Sequence, residues 1–142
     1  MQLFSQDTKV EALGRSPLFQ GLARSELAQL AKETEDLEIG EGKVLCKQGD
    51  TASEFFVILD GEVEVTKDGN RLTTLGPGDF FGEIALVEHS KRTATVTART
   101  PVRFFVLTNR SFSALLDRNP GVERKVLRAL ARRVLADSDP TA

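Results

Sequence analysis

Phe55-Phe56-Val57-Ile58-Leu59-Asp60-Gly61-Glu62-Val63-Glu64-Val65-Thr66-Lys67-Asp68-Gly69-Asn70-Arg71-Leu72-Thr73-Thr74-Leu75 holds three strand-like segments separated by two Asp-Gly turns. Residues 55–59 form a continuous apolar run, short enough to read as a strand. Val63 and Val65 then alternate with Glu62, Glu64 and Thr66, as a strand does when one face is wet. Asp68-Gly69, set between Glu62–Lys67 and Asn70–Leu75, is a hairpin signal, because Asp-Gly tolerates the positive φ of a tight turn. The same punctuation recurs on either side, at Gly40, Gly42, Gly49-Asp50 and Gly76-Pro77-Gly78. Two further strands are expected at Thr93–Ala98 and Val102–Leu107, with Pro101 opening the second where its missing N–H costs least. Many short strands joined by glycine turns predict a jelly-roll β-barrel, which shortens or removes exposed edges.

Helices flank this region. Val10 and Leu13 share a face in the first helical stretch, which Gly14 is expected to stop. Ser16-Pro17-Leu18-Phe19 breaks the pattern, and Leu27 and Leu30 restore it over residues 24–33. Beyond the strands, Asn109 or Ser111 is expected to cap a helix over residues 112–117. Pro120 sits where a second helix starts. In that helix Val122, Val126, Leu130 and Val134 step by four, with Leu127 and Leu135 beside them, as a core-facing stripe. The fold class is α+β and mainly β: a jelly roll flanked by N-terminal helices and two C-terminal helices. One domain is expected over residues 1–142. It divides into N-terminal helices (1–35), a β-roll (36–108) and C-terminal helices (109–137).

The bulk properties exclude several function classes. The 142 residues suffice for a core without covalent staples. A net charge of −2 gives no electrostatic case for nucleic-acid binding. Cys46 is the only cysteine, so no disulfide forms within the chain, which fits a cytoplasmic setting. No run reaches the length of a membrane span. His89 is the only histidine, which argues against a cupin-type metalloenzyme. Cys46 reads as a small core residue rather than a nucleophile. Asn109-Arg110-Ser111 matches a glycosylation sequon, which has no role in a cytoplasmic chain.

The residues that carry chemistry lie between 75 and 96. Leu75-Gly76-Pro77-Gly78-Asp79-Phe80-Phe81-Gly82-Glu83-Ile84-Ala85-Leu86 is followed by Lys91-Arg92-Thr93-Ala94-Thr95-Val96. Glycine lets backbone N–H groups approach an anion, and arginine grips a phosphate with two donors. The glycine spacing is one residue too long for a dinucleotide fingerprint, and no P-loop is present. The competing reading is ordinary hairpin chemistry with a surface Glu–Arg pair.

Phe-Gly-Glu-Ile-Ala-Leu at 81–86 and Arg-Thr-Ala-Thr-Val at 92–96 resemble the phosphate-binding cassette of cyclic-nucleotide-binding domains. That family includes catabolite activator proteins, regulatory subunits of cAMP-dependent kinase, cGMP-dependent kinase and nucleotide-gated channels. Gly49-Asp50, residues 55–58, Gly61, Val63 and Val65 match its barrel pattern, and the resemblance runs from about Leu18 to Leu135. It implies a non-catalytic receptor without metal or cofactor, whose ligand is cAMP, with cGMP as the alternative. By resemblance, Glu83 accepts from the ribose 2′-OH and Arg92 pairs with the cyclic phosphate. Gly82, Ile84, Ala85, Thr93 and Ala94 complete the cradle, and Val65, Thr73 and Phe81 line the base and ribose pocket. Two departures stand out. Lys91 replaces the proline that often precedes the arginine. Thr93 resembles cGMP-selective members, whereas Thr73 stands where some of those carry an arginine.

The resemblance further implies that the C-terminal helices close over the ligand, with Leu127 or Arg128 as lid contacts. The expected partners are the nucleotide and an effector protein or larger parent chain. Arg124, Arg128 and Arg132 step along the last helix as a solvated face or as a docking surface. The latter belongs to a second expectation, a degenerate domain of the same fold that binds protein and no nucleotide.

Overall fold

Each step along Phe55-Phe56-Val57-Ile58 turns a side chain to the opposite face of a sheet, and all four are buried. In the computed structural model, which describes residues 6–82 and 91–138, this run lies in a sheet covered on both sides. The element order is α1 (Gln6–Arg15), a 3-10 turn (Pro17–Phe19), α2 (Arg24–Glu33), β1 (Glu35–Ile39), β2 (Val44–Cys46), β3 (Glu54–Asp60), β4 (Val63–Lys67), β5 (Asn70–Leu75), β6 (Phe80–Phe81), β7 (Thr95–Ala98), β8 (Val102–Thr108), α3 (Asn109–Arg118) and α4 (Pro120–Ser138). The strands form two four-stranded antiparallel sheets, ordered β1-β8-β3-β6 and β2-β7-β4-β5. This is the expected mainly β architecture: a roll of two sheets with helices at both ends of the chain.

Two cores result. Phe56, Ile58, Phe104 and Val106 face the second sheet and meet Cys46, Val63, Phe81, Val96 and Ala98. Phe55, Val57, Phe105 and Leu107 face the helices and meet Val10, Leu13, Phe19, Leu30, Phe112, Leu115, Val122 and Val126. Phe55 stacks on Phe112 at 4.2 Å between ring centroids, which ties β3 to α3. The second sheet has one wet face, so β4 and β7 alternate in sequence whereas β3 and β8 do not.

Turn chemistry follows the sequence closely at two places. Asp68 and Gly69 both adopt positive φ, the geometry of the expected β4–β5 hairpin. Gly61 has φ +90°, and a Cβ there would lie 2.2 Å from the Pro101 carbonyl, so only glycine fits.

Three expectations need correction. Gly14 does not stop α1, which runs on to Arg15. Its missing side chain instead admits α2, since a Cβ there would lie 3.2 Å from Leu27 Cδ1. The cap of α3 is Thr108, whose Oγ1 accepts from Ser111 N at 3.2 Å, and the helix starts at Asn109. Leu127 is 52% exposed and lies off the core stripe, where Ala129 is buried instead. Leu135 and Val134, also assigned to that stripe, fall among residues whose side chains are not described. Pro120 does open α4, and the preceding Asn119 is buried, its Nδ2 donating to Leu115 O at 3.0 Å.

Candidate functional site

The chain reaches the candidate site through a tightly bonded turn. Gly76 N donates to Asp79 Oδ2 at 2.9 Å and Asp79 N to Gly76 O at 3.0 Å. Gly78 N donates to Ile58 O and Ile58 N to Asp79 O, both at 2.9 Å, so the turn is sewn to β3. The short strand β6 then pairs Phe81 with Phe56 and Phe80 with Val57. The Phe56 and Phe81 rings stack at 4.7 Å. Gly82 follows with φ +96°.

Arg92 reaches the same point from the other direction. Its backbone is held by the loop between β2 and β3: Arg92 N donates to Asp50 O at 2.8 Å, and Gly49 N donates to Arg92 O at 2.9 Å. Thr51 bridges to Lys91 just beside them. The side chain turns inward and is 8% exposed. Nη1 donates to Gly82 O at 3.2 Å and Nη2 to Glu54 O at 2.5 Å. The guanidinium carbon lies 5.6 Å from the centroid of the Phe56 ring, a cation–π arrangement.

This packing explains the glycine. A Cβ at residue 82 would lie 2.6 Å from Arg92 Nη1 and 2.9 Å from Glu54 O. The positive φ and the guanidinium both exclude a side chain there. The guanidinium is thus fixed by neutral carbonyls. Among the described residues its partners are these two carbonyls, and a guanidinium so held presents a fork geometry that matches a phosphate. Five donors in a planar fork, two of them committed to carbonyls, suit a phosphate better than a point-charge ammonium would.

Cys46 lies in the inter-sheet core close enough to feel this charge. Burial pushes its thiol up to about 11, Arg92 opposes that shift, and Glu54 adds to it. The thiol is therefore neutral near pH 7, which fits a core residue and not a nucleophile. Among the described residues no group of three or more His, Cys, Asp and Glu side chains is placed to hold a metal, and no helix is long and apolar enough to cross a membrane.

The structure brings Gly82 and Arg92 into direct contact. Phe81 sits beneath them in the core, 4% exposed. Val65 is half-buried and pairs with Thr73 on one side and Val96 on the other, so these three share a row of the second sheet. Thr73 is exposed. Thr93 is exposed and Ala94 half-buried, next to Arg92 at the entry to β7. Glu83, Ile84 and Ala85 lie outside the described residues, as does His89. Sequence reasoning missed three contributors: the Glu54 carbonyl, the Phe56 ring and the Asp50 carbonyl. The first and last are backbone groups with no side-chain signature. Phe56 was legible only as core.

A family model described as the cyclic nucleotide-binding domain matches residues 36–119, more than half of the chain. The chain belongs to the cyclic nucleotide-binding domain family. Among curated relatives, this cyclic nucleotide-binding domain is 30% identical over 129 residues to the CRP-like cAMP-activated global transcriptional regulator of Mycobacterium tuberculosis. The match covers 87% of this chain and 58% of that protein. Among solved structures, the cAMP-bound fragment of PfPKA-R superposes with a TM-score of 0.85 at 24% identity, over 92% of this chain and 45% of that one. The regulatory subunit of a cAMP-independent protein kinase A from Trypanosoma brucei superposes with a TM-score of 0.81 at 26% identity, over 87% and 45%. The domain spans about half the length of these relatives.

Proposed function

We propose that the chain is a non-catalytic receptor for a cyclic nucleotide, reading cAMP and, as the alternative base, cGMP. The observation that carries this is the buried Arg92 guanidinium, fixed over Phe56 by the carbonyls of Gly82 and Glu54. A single domain over residues 1–142 would bind the phosphate at Arg92. The backbone at Gly82, Ile84, Ala85, Thr93 and Ala94 would complete the cradle, and Glu83 would accept from the ribose hydroxyl. Val65, Thr73 and Phe81 are assigned to the base side of the pocket. Leu127 or Arg128, both exposed on α4, is the lid contact, and closure of the C-terminal helices over the ligand is the signal. The receptor is assigned to the cytoplasm and hands its signal to an effector protein or to further parts of a longer chain.

Fold similarity extends to a kinase subunit described as cAMP-independent. The nucleotide reading therefore rests on Arg92 and not on the fold. Calorimetric titration of cAMP and cGMP tests it, since the chain lacks the Trp and Tyr that report binding by fluorescence. Wild-type protein is expected to bind at least one of them, and Arg92→Ala to weaken that binding by ~2–5 kcal/mol, because a desolvated phosphate loses its cation. Circular dichroism on the variant separates lost binding from lost folding. Binding of neither nucleotide by the wild type would instead favour a protein-docking domain, a reading supported by Leu127 exposed between Arg124 and Arg128 on α4.

A further inference from the structure

Lys125, on α4, reaches across to the N-terminal part of the chain. Its Nζ donates to Pro17 O at 2.9 Å and to Gln20 O at 3.1 Å, with Leu18 O at 3.5 Å. Three carbonyls, two from the 3-10 turn and one from the residue that follows it, converge on one ammonium. The end of a helical turn leaves its carbonyls without partners, and a charged donor satisfies them more strongly than a neutral one.

Another part of that turn touches the segment that leads into the candidate site. The Pro17 ring lies against Gly78, close enough that a Cβ at residue 78 would sit 3.3 Å from Pro17 Cδ. Gly78 belongs to the bonded turn that leads into Phe80, Phe81 and Gly82, and the Gly82 carbonyl accepts from Arg92. Contacts thus link Lys125 to Pro17 and Pro17 to Gly78, the chain carries on through residues 79–81 to Gly82, and Gly82 contacts Arg92.

We propose that Lys125 is a positioning residue for the Arg92 site: by pinning the 3-10 turn it seats Pro17 on Gly78 and so sets the segment that carries Phe81 and Gly82. The inference rests on Arg92 being the nucleotide's phosphate site. It assigns Lys125 no contact with the ligand. A role confined to stability would lower the melting temperature and leave affinity alone; a positioning role changes affinity and does so through Pro17.

The test uses the full chain as wild type, Lys125→Met, Pro17→Ala and the double variant. Calorimetry with cAMP and cGMP is run beside hydrogen exchange on the nucleotide-free proteins. Each single variant is expected to bind roughly 2- to 30-fold more weakly. The double variant is expected to be no weaker than the weaker single, since both act along one line. Exchange at the Gly78 and Asp79 amides should accelerate in Lys125→Met while that at Phe104 and Phe105 in β8 stays unchanged. Unchanged affinity in both single variants, or losses that multiply in the double, overturns the proposal. If Lys125→Met does not fold, Pro17→Ala alone decides it on the same criterion of affinity. If the wild type binds neither nucleotide, the receptor reading fails, and unaltered exchange at Gly78 then refutes the positional link separately.

Discussion

Gly82 and Arg92 compete for one small volume, and each is intelligible only with the other. A side chain at residue 82 meets the guanidinium at 2.6 Å and must also adopt φ +96°. Gly82→Ala is therefore expected to destabilise the fold by ~1–2 kcal/mol from the left-handed backbone alone. It should also displace Arg92 and weaken nucleotide binding. Urea denaturation and calorimetry read the two effects, and a variant matching wild type in both would contradict the geometry described. Arg92 was legible in the sequence because its type and its neighbours carry a pattern. Its acceptor at Glu54, 38 residues away, was not, because every residue has a carbonyl and only the fold selects this one.

At the scale of elements, sequence reading succeeded where a side chain dictates backbone geometry and failed where packing decides. Asp68-Gly69 and Pro120 marked their turn and helix start because φ restricts them. Gly14 misled because its absent side chain serves an approach by Leu27 and not a helix stop. The stripe on α4 drifted for a geometric reason. Steps of four advance a helix by about 40° beyond a full turn, so Leu130 still packs on the core but only half-buried, while Ala129 returns to the face set by Val122, and Leu127 points well away. The α1–α2 pair hides a charge that periodicity could not reveal. Lys9 is 1% exposed, donating to Thr34 O at 2.6 Å and Ala31 O at 2.9 Å, with Asp36 Oδ1 at 4.0 Å. Lys9→Met should cost ~3–5 kcal/mol, since it removes the cation beside a buried carboxylate. A melting temperature within a degree of wild type would show that the pair contributes nothing.

Across the whole molecule, one sheet belongs to both cores. Neither the helical side nor the inter-sheet side can loosen without exposing the reverse face of β3 and β8. Unfolding is accordingly expected in a single cooperative transition, as a domain of about this size commonly shows. Far-UV circular dichroism follows the helices, and alkylation of buried Cys46 follows the inter-sheet core. The two midpoints in urea should coincide; separate midpoints would divide the chain into independent units. The strands β3 and β8 were legible as strands, and the family from its cassette, whereas their coverage on both faces emerges only from the packing of the two cores. The strand order β1-β8-β3-β6 was not, because it joins strands from opposite ends of the roll by contacts that no local pattern records.

The same shared sheet governs where such a chain is free to change over evolutionary time. Residues 55–58 and 104–107 are all buried, each step delivering a side chain to one core or the other. Eight choices, in two runs of four, are constrained with no outward position to drift. The second sheet turns Glu64, Thr74 and Thr97 away from the core in one cross-strand row. Sequence variety among descendants of this chain should therefore accumulate on that one face, leaving it as the surface on which new associations are acquired without cost to the fold.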